Sequence, residues 1–143
     1  MDINTLINKH KLKFDKFYNN LIEKKLDNDV LAQAMKYSSI NGGKRIRAFL
    51  VFQSSKIVNL PIKTTMIISS SIETIHSYSL IHDDLPSMDN DDFRRGKLSN
   101  HKRFDEATAI LAGDALHDFA YELLSGSIKN ISSKKNIEII NYL

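Results

Sequence analysis

Five aspartates lie within ten residues of one another, and two adjacent arginines follow them closely. The aspartates are Asp83, Asp84, Asp89, Asp91 and Asp92, and the arginines are Arg94 and Arg95. Clustered carboxylates repel one another and favour a compensating cation, and hard oxygen ligands of this kind suit Mg²⁺ or Ca²⁺. An EF-hand is excluded because an arginine stands where its turn glycine belongs. Mg²⁺ fits better, since it takes one or two protein carboxylates and completes its shell with water and phosphates.

The aspartates divide into two groups. The last two, Asp91 and Asp92, are predicted to neutralise the arginine pair at a solvated helix end, which requires no ligand. Asp83 differs, because it follows His76 by seven residues. That spacing is nearly two helical turns and predicts that the imidazole and the carboxylate share one face, about 10 Å apart. It favours ligand binding for the first three aspartates, with His76 as an anion contact.

A second cationic cluster lies upstream, in the segment Gly42-Gly43-Lys44-Arg45-Ile46-Arg47. Lys44 and Arg47 are predicted to project together from the first turn of a helix, where unpaired backbone N–H groups add positive charge. The two glycines leave room for an anion to approach the backbone. The spacing of a P-loop is absent, and the segment alone is weak evidence. Its combination with the aspartate and arginine block about 40 residues later is more specific.

These residues need helices to position them, and helical periodicity dominates the chain. No segment shows clean alternation of polar and apolar residues, so the predicted fold class is all-α. Four helices are predicted in the first part of the chain: residues 2–25, 28–37, Lys44 to Val58, and Pro61 to about Leu85. Asn41-Gly42-Gly43 is predicted to be a break between the second and the third.

The second part of the chain is predicted to begin with a loop over residues 86–104. Asp105 suits the N-cap of a strongly helical stretch that ends near Ser125-Gly126, and a further helix is predicted from Asn130. Small residues in the stretch after Asp105 would let a neighbouring helix approach closely: Ala107, Ala109, Ala112, Gly113 and Ala115.

Composition bounds the class of protein. The 143 residues are 42% hydrophobic, enough for one domain with its own core. With no cysteine, a disulfide framework, a zinc ribbon and a cysteine nucleophile are excluded. The first twenty residues have no apolar signal-peptide core, and no run approaches the roughly 18 apolar residues of a membrane span. These features predict a soluble, cytoplasmic protein without a membrane span.

The net charge of +3 does not predict a nucleic-acid partner. The basic residues are fifteen lysines and five arginines. Lys9, Lys13 and Lys16 lie on one side of the first predicted helix and are interpreted as a solvated face. A nucleic-acid-binding module needs a contiguous basic surface, which the five central aspartates interrupt.

Three ordered segments resemble the trans-prenyl diphosphate synthases, and most closely the bacterial farnesyl diphosphate synthases. They are NGGKRIRAFLV, IHSYSLIHDDLPSMDNDDFRRGK and FDEATAILAGDAL. The resemblance runs from about residue 28 to 127 and implies an isoprenoid-synthase-type helical bundle with a cavity between long helices. It implies a Mg²⁺-dependent prenyltransferase that condenses isopentenyl diphosphate with dimethylallyl or geranyl diphosphate to form farnesyl diphosphate.

The resemblance also implies roles for individual residues. Asp83 and Asp89 are similar to the Mg²⁺ ligands for the allylic diphosphate, with Asp84 supporting them as the third catalytic aspartate. Arg94 is similar to the allylic-diphosphate contact, and Arg45 receives no ligand. Four residues resemble the contacts of isopentenyl diphosphate: Lys44, Arg47, His76 and Arg95.

Two residues are implicated in product length. Tyr78 and Ser79 precede Asp83 by five and four residues, about one helical turn. In the family a bulky aromatic side chain at this place resembles a floor that stops chain elongation, so Tyr78 favours a C15 product. The alternative is that Tyr78 is an ordinary core residue.

Members of this family are about twice as long as this chain, and their second aspartate-rich motif has no counterpart here. Residues 1–143 therefore resemble the N-terminal half of a polyprenyl synthase domain, truncated relative to the family. An uncovered apolar helix surface predicts a homo-oligomer or pairing with a missing C-terminal segment. Three interpretations stay open: an enzyme completed by another segment, a non-catalytic partner subunit of a full-length synthase, and an inactive remnant.

Overall fold

The computed structural model describes residues 2–40, 42–128 and 131–143. These residues form seven helices and one small hairpin, which confirms the all-α fold class. In chain order the elements are α1 (Ile3–Lys25), α2 (Val30–Ile40), α3 (Ile46–Ile57), α4 (Ile62–Asp83), β1 (Phe93–Arg94), β2 (Lys97–Leu98), α5 (Asn100–Arg103), α6 (Glu106–Ser127) and α7 (Ser133–Asn141). Among the described residues, no helix combines the length and the apolar character needed to cross a bilayer.

Local sequence signals explain where the long helices begin. The Asp2 carboxylate accepts a hydrogen bond from the Thr5 N–H at 3.4 Å at the start of α1. The Asp105 carboxylate accepts one from the Thr108 N–H at 2.8 Å, which confirms the predicted N-cap of α6. α4 starts directly after Pro61, as predicted. Such caps satisfy backbone N–H groups that have no partner inside the helix.

α4 and α6 pack against each other at the centre of the fold. Ala109, Ala112 and Gly113 of α6 are buried, Ala115 is half-buried and Ala107 is exposed, so the predicted close approach of a neighbouring helix is seen at three of the five small residues. A Cβ on Gly113 would overlap the imidazole of His82 in α4. The Ser71 hydroxyl donates to the Ala120 carbonyl at 2.8 Å and links the two backbones.

α4 is buried around most of its circumference although it carries many hydroxyl groups. These hydroxyls are satisfied within the helix: Ser70 donates to the Met66 carbonyl at 2.8 Å, and Ser77 donates to the Glu73 carbonyl at 2.9 Å. A buried polar group is tolerated when it has a hydrogen-bond partner. The small side chains of α4 therefore let several helices surround it.

The predicted loop over residues 86–104 was wrong in part, because it contains a hairpin and a short helix. β1 and β2 are antiparallel, with Phe93 opposite Leu98 and Arg94 opposite Lys97. Arg95 and Gly96 form the two-residue connection with φ of 55° and 76°. Positive φ at both central positions is the requirement of a type I′ hairpin turn. The strands are two residues long, too short for an alternating pattern to appear in the sequence.

Helix boundaries differ modestly elsewhere. α2 runs to Ile40, three residues beyond its predicted end, and α3 begins at Ile46 rather than Lys44. Gly42 and Gly43 are outside the helices, as the predicted break requires. The predicted break at Asn41 and the predicted helix start at Asn130 lie outside the described residues.

Candidate functional site

The C-terminal end of α4 brings the first and third aspartates together. Asp83 is the last residue of α4, and the Asp89 N–H donates to the Asp83 carbonyl at 2.9 Å. Asp83 is half-buried and Asp89 is exposed. The ion pairs found among the described residues involve neither carboxylate. Two carboxylates are therefore held beside one helix end without a salt bridge to any described residue, although Asp83, with a smaller effect than Asp84, is near enough to Arg94 to raise the pKa of its guanidinium.

Asp84 forms a salt bridge with Arg94. It is 2% exposed, and one carboxylate oxygen accepts from Arg94 Nε at 2.9 Å and from Arg94 Nη2. The hydrogen bonds that Arg94 donates to Asp84 raise the pKa of the Arg94 guanidinium, which stays positively charged. This pair fixes the guanidinium of Arg94 beside the end of α4.

The two remaining aspartates behave differently from each other. Asp91 accepts from Arg94 Nη2 at 3.2 Å, which confirms its predicted neutralising role. Asp92 pairs with Lys102 of α5 at 2.9 Å, so the prediction that it neutralises the arginine pair was wrong. The physical reason is the hairpin: the Ser99 N–H donates to the Asp92 carbonyl at 2.9 Å, and the returning strand brings α5 next to Asp92.

A cationic cluster forms where α3, α4 and the hairpin turn meet. It consists of Arg47 on α3, His76 on α4 and Arg95 in the hairpin turn. Burial lowers the pKa of the His76 imidazole, and the charges of Arg47 and Arg95 lower it further. The Arg95 guanidinium lies against Gly43, where a Cβ would come within 3.2 Å of its Nε. The structure thus gathers three of the four residues predicted to bind isopentenyl diphosphate.

Lys44 does not share a helical turn with Arg47, so that geometric prediction was wrong. Arg45 adopts a left-handed conformation with φ of 55° and serves as the N-cap, and α3 begins one residue later. Lys44 therefore lies ahead of the helix, where it is exposed and adjacent to Gly43. Its role as a diphosphate contact stays a prediction.

Arg45 points into the protein. Its side chain donates to Asp15 at 2.8 Å, to Glu73 at 3.1 Å and to the Ser39 carbonyl at 2.7 Å. The guanidinium also lies over the rings of two core aromatics, Phe14 and Tyr18. This network joins α1, α3 and α4 and explains why Arg45 belongs to the motif without being a ligand. A buried charge of this kind requires paired and hydrogen-bonded surroundings.

Gly42 is required by Arg45. A Cβ at Gly42 would occupy the space of the Arg45 guanidinium. The adjacent glycines of the motif therefore serve two different arginines, one buried and structural and one at the hairpin turn.

Tyr78 and Ser79 lie one turn before Asp83, as predicted. The Tyr78 ring is half-buried and meets His82 edge-on at 4.9 Å and His117 of α6 at 5.2 Å between ring centroids. The Ser79 hydroxyl donates back to the His76 carbonyl at 3.1 Å. His82 and His117 were not predicted from the sequence. The spacing of four residues between Tyr78 and His82 could have indicated that His82 contacts the tyrosine ring.

Two further residues that the sequence reasoning missed hold the hairpin in place. The Tyr37 hydroxyl of α2 donates to the Leu98 carbonyl at 2.8 Å. Asn100 Nδ2 of α5 donates to the Ala34 carbonyl at 2.9 Å and to the Ser38 hydroxyl at 2.8 Å. A cavity of about 60 Å³ lies between the hairpin, α2 and α4. Both residues line it together with Asp84 and the arginine pair.

The donor set at the end of α4 fits Mg²⁺ shared with a phosphate ligand. Within the described ranges, no group of three or more histidine, aspartate or glutamate side chains is placed to hold a metal by itself. Mg²⁺ does not require such a cage, because one or two carboxylates plus water and phosphate oxygens complete its octahedron. Asp83 and Asp89 offer two carboxylates of that kind.

The fold and the aspartate-bearing helix end are similar to those of solved isoprenoid synthases. The geranyltransferase of Legionella pneumophila superposes with a TM-score of 0.91 at 38% identity, covering 97% of this chain and 50% of that one. An FPP/GFPP synthase of Zymomonas mobilis superposes with a TM-score of 0.89 at 37% identity, covering 97% of this chain and 52% of that one.

Residues 28–143 match the polyprenyl synthetase family, and the chain belongs to that family. The farnesyl diphosphate synthase of Buchnera aphidicola subsp. Acyrthosiphon pisum is 46% identical over 136 residues, which is 94% of this chain and 48% of that protein. The farnesyl diphosphate synthase of Escherichia coli K12 is 43% identical over 117 residues, which is 81% of this chain and 39% of that protein. The predicted resemblance is confirmed, and the chain spans half or less of the length of these relatives.

Proposed function

We propose that this chain supplies the N-terminal half of the active site of a prenyltransferase that makes farnesyl diphosphate. Its substrates are isopentenyl diphosphate and either dimethylallyl or geranyl diphosphate. One observation carries the proposal: the carboxylates of Asp83 and Asp89, which form no salt bridge with a described residue, lie at the end of α4, the same helix that carries His76 of the cationic cluster. The similarity to farnesyl diphosphate synthases supports it.

In the proposed reaction, the allylic C–O bond breaks and leaves a carbocation and a diphosphate. Asp83 and Asp89 would hold Mg²⁺, which when bound neutralises charge on the departing diphosphate. Arg94, oriented by Asp84, offers its guanidinium to the same leaving group as negative charge develops on it. Arginine suits this task because its planar fork matches phosphate oxygens.

The second substrate is held by the cationic cluster. Arg47 and Arg95 provide charge for the isopentenyl diphosphate, and the half-buried, neutral His76 adds one N–H donor. Lys44 is the fourth proposed contact. Fixing this diphosphate aims the isopentenyl double bond at the carbocation, and holding the two reactants together lowers the barrier. The new C–C bond then forms, and loss of a proton gives the longer allylic diphosphate.

Product length is proposed to depend on Tyr78, with Ser79 contributing a small neighbour. If the diphosphate is held at Asp83, the tail extends back along α4 past the Tyr78 ring. That ring is backed by His82 and His117, which restrict its movement. A C15 product follows, because a further C5 unit would overpack the space at a cost of about 1–3 kcal/mol.

A second candidate function is a non-catalytic partner subunit of a full-length synthase. The exposure of Ile110 and Leu111 on α6 favours it, since uncovered apolar surface favours association with a partner. The partner in either case is a complementary C-terminal segment, a second copy of the chain or a complete synthase. An inactive remnant is the remaining alternative, and a cytoplasmic location stays a prediction.

Calorimetry of the 143-residue chain with geranyl diphosphate tests the proposal. Binding should require Mg²⁺ and should be lost in the variant with both Asp83→Asn and Asp89→Asn. Asp27→Asn is the matched control, because this exposed aspartate lies between α1 and α2. Equal binding with and without Mg²⁺ would overturn the metal assignment.

Prenyl transfer separates the enzyme from the other candidates. The chain alone should incorporate negligible isopentenyl diphosphate, whereas co-expression with the C-terminal half of the Escherichia coli farnesyl diphosphate synthase should restore product formation. Restored activity that survives Asp83→Asn together with Asp89→Asn would contradict the catalytic role of these aspartates.

A further inference from the structure

A cavity of about 220 Å³ lies between α1 and α3, on a side of the protein that the proposed function does not use. Its walls come from two apolar side chains, three lysines, one histidine and one glutamine. On α1 the lining residues are spaced by three or four positions, which is the repeat of one helix face. The α1 residues also precede residue 28, where the match to the polyprenyl synthetase family begins.

His10 is a buried polar residue that has no hydrogen-bond partner in the part of the chain that the structure describes. It is 5% exposed, and both ring nitrogens are buried with no hydrogen bond to any described residue. Its neighbours are aromatic: the ring centroids of Phe52 and Phe49 lie 4.4 and 5.7 Å away. An imidazole in such a place leaves a donor and an acceptor unsatisfied, which is unfavourable unless something binds there.

Gln53 on α3 lines the same cavity and shares this property. Its Nε2 is buried with no hydrogen-bond partner among the described residues, while its Oε1 accepts from Lys56 Nζ at 3.1 Å. Side chains from two helices therefore border one cavity with N–H groups that have no partner among the described residues, although the nitrogens are themselves buried.

Three lysines make the charge at the cavity positive. Lys9, Lys13 and Lys56 line it and are exposed, and the ion pairs seen among the described residues include none of the three. Burial lowers the pKa of His10, and the charges of Lys56 and Lys13 lower it further, while the weaker effect of Glu73 opposes them. The imidazole is thus neutral near pH 7 and offers one N–H.

We propose that this cavity binds a small organic phosphate. The phosphate group is held by the ammonium groups of Lys9, Lys13 and Lys56, and a rotation of the His10 and Gln53 side chains on binding lets their N–H groups donate to it. The apolar part of the organic phosphate lies against Leu6 and Phe52, which form the apolar wall of the cavity. The three ammonium groups suit the two negative charges of a phosphate better than they suit the single charge of a carboxylate. Lysine is also a common phosphate ligand. The volume of the cavity limits the apolar part of the ligand to about the size of one aromatic ring.

The test is NMR of the histidine side chains in the full 143-residue chain, with the His10 signal assigned by the His10→Gln variant. The probes are phenyl phosphate, inorganic phosphate and benzyl alcohol. Phenyl phosphate should shift the His10 nitrogens and bind about tenfold more tightly than inorganic phosphate, since burying a ring adds at least that much affinity. The His76 signal reports binding at the other cationic cluster, so failure of the two proposals can be distinguished.

Single changes of Lys9, Lys13 and Lys56 to glutamine should each weaken phenyl phosphate binding about two- to fivefold. The triple variant should abolish the His10 shift. Lys16→Gln is the matched control, because Lys16 is an exposed lysine on α1 that does not line the cavity. An unshifted His10 signal, equal affinity for benzyl alcohol, or full binding by the triple variant would each overturn the proposal.

Discussion

Arg45 and Arg47 are two residues apart, yet their side chains serve opposite environments. Arg45 is 3% exposed and bound to Asp15 and Glu73, whereas Arg47 is exposed beside His76. The left-handed backbone at Arg45 separates them, because it turns one side chain inward before α3 begins. One short motif thus contributes a structural cation and a candidate ligand-binding cation.

The cationic surroundings of His76 make its pKa a reporter of anion binding. Burial and the charges of Arg47 and Arg95 hold the pKa below the usual 6.5. Inorganic diphosphate bound to these arginines should neutralise their charge and therefore raise the pKa of His76. NMR titration of the His76 ring with and without diphosphate measures this change.

The rise in the pKa of His76 on diphosphate binding also predicts proton uptake, and a variant of Arg95 provides the control. Because the bound state holds the proton more tightly, diphosphate binding should draw protons from solution near the pKa. Arg95→Gln should raise the pKa of His76 in the ligand-free chain, since one repelling charge is removed. An unchanged pKa at saturating diphosphate would show that the anion does not bind beside His76.

The range of an interaction along the chain decides whether sequence reasoning can find it. The Asp105 cap was predicted because its partner Thr108 is three residues away. The burial of Arg45 could not be predicted, because Asp15 and Glu73 are 30 and 28 residues distant. Nothing local distinguishes a cation that will be buried from one that will bind ligand.

At the scale of elements, the packing of α4 on α6 depends on one glycine. Gly113→Ala should destabilise the fold by about 1 kcal/mol or more, because its Cβ would overlap the His82 ring and overpacking outweighs the gain in helix propensity. Gly126→Ala is the matched control in the same helix, since its Cβ would meet nothing within 4 Å. That change should stabilise by up to about 1 kcal/mol. Urea denaturation of both variants measures the difference, and equal midpoints would contradict the packing argument.

The hairpin that carries Arg94 and Arg95 depends on its attachment to α2. Asn100→Ala removes two hydrogen bonds, to the Ala34 carbonyl and to the Ser38 hydroxyl, and should cost about 1–3 kcal/mol of stability. It should also weaken diphosphate binding, because the arginines lose their support.

Lys102→Gln is the control for Asn100→Ala, since it removes an exposed ion pair from the same short helix. It should change stability by less than about 1 kcal/mol. Calorimetry and thermal denaturation together distinguish the outcomes. Asn100→Ala with normal stability and normal diphosphate affinity would show that Asn100 does not position the hairpin.

The elements themselves were predictable in proportion to their length. α1, α4 and α6 have many turns of helical periodicity and clear start signals, and each was predicted nearly to its observed ends. The hairpin was missed because two-residue strands carry no period, and because its turn places Arg95 at positive φ, a conformation that arginine rarely adopts. The Arg-Gly dipeptide was the one weak local signal for it.

At the scale of the whole molecule, apolar surface remains uncovered in the middle of α6. Ile110 and Leu111 are 39% and 56% exposed on a helix whose other faces pack against α2, α4, α5 and α7. The chain should therefore self-associate as its concentration rises, because apolar surface of this kind favours burial. Sedimentation velocity over a concentration series measures it, and Leu111→Ser should weaken it.

Leu12→Ser on α1 is the control for association, since Leu12 is 71% exposed on a different helix. A monomer at every concentration, or equal effects of the two substitutions, would contradict an interface through α6.

The fold class and the family were predictable from three motifs. The sequence predicted that some apolar surface is left for a partner. It could not predict which residues form that surface, because exposure depends on how all the helices pack.

The Arg45 network has a consequence for the order in which the chain is made. Each of its partners, from Asp15 to Glu73, is synthesised before α6. On the ribosome, the nascent segment can therefore compensate its buried charges while α4 still lacks the helix that covers its other side. Until residues 106–127 emerge, the exposed flank of α4 is the part of the growing chain most open to chaperones and to aggregation.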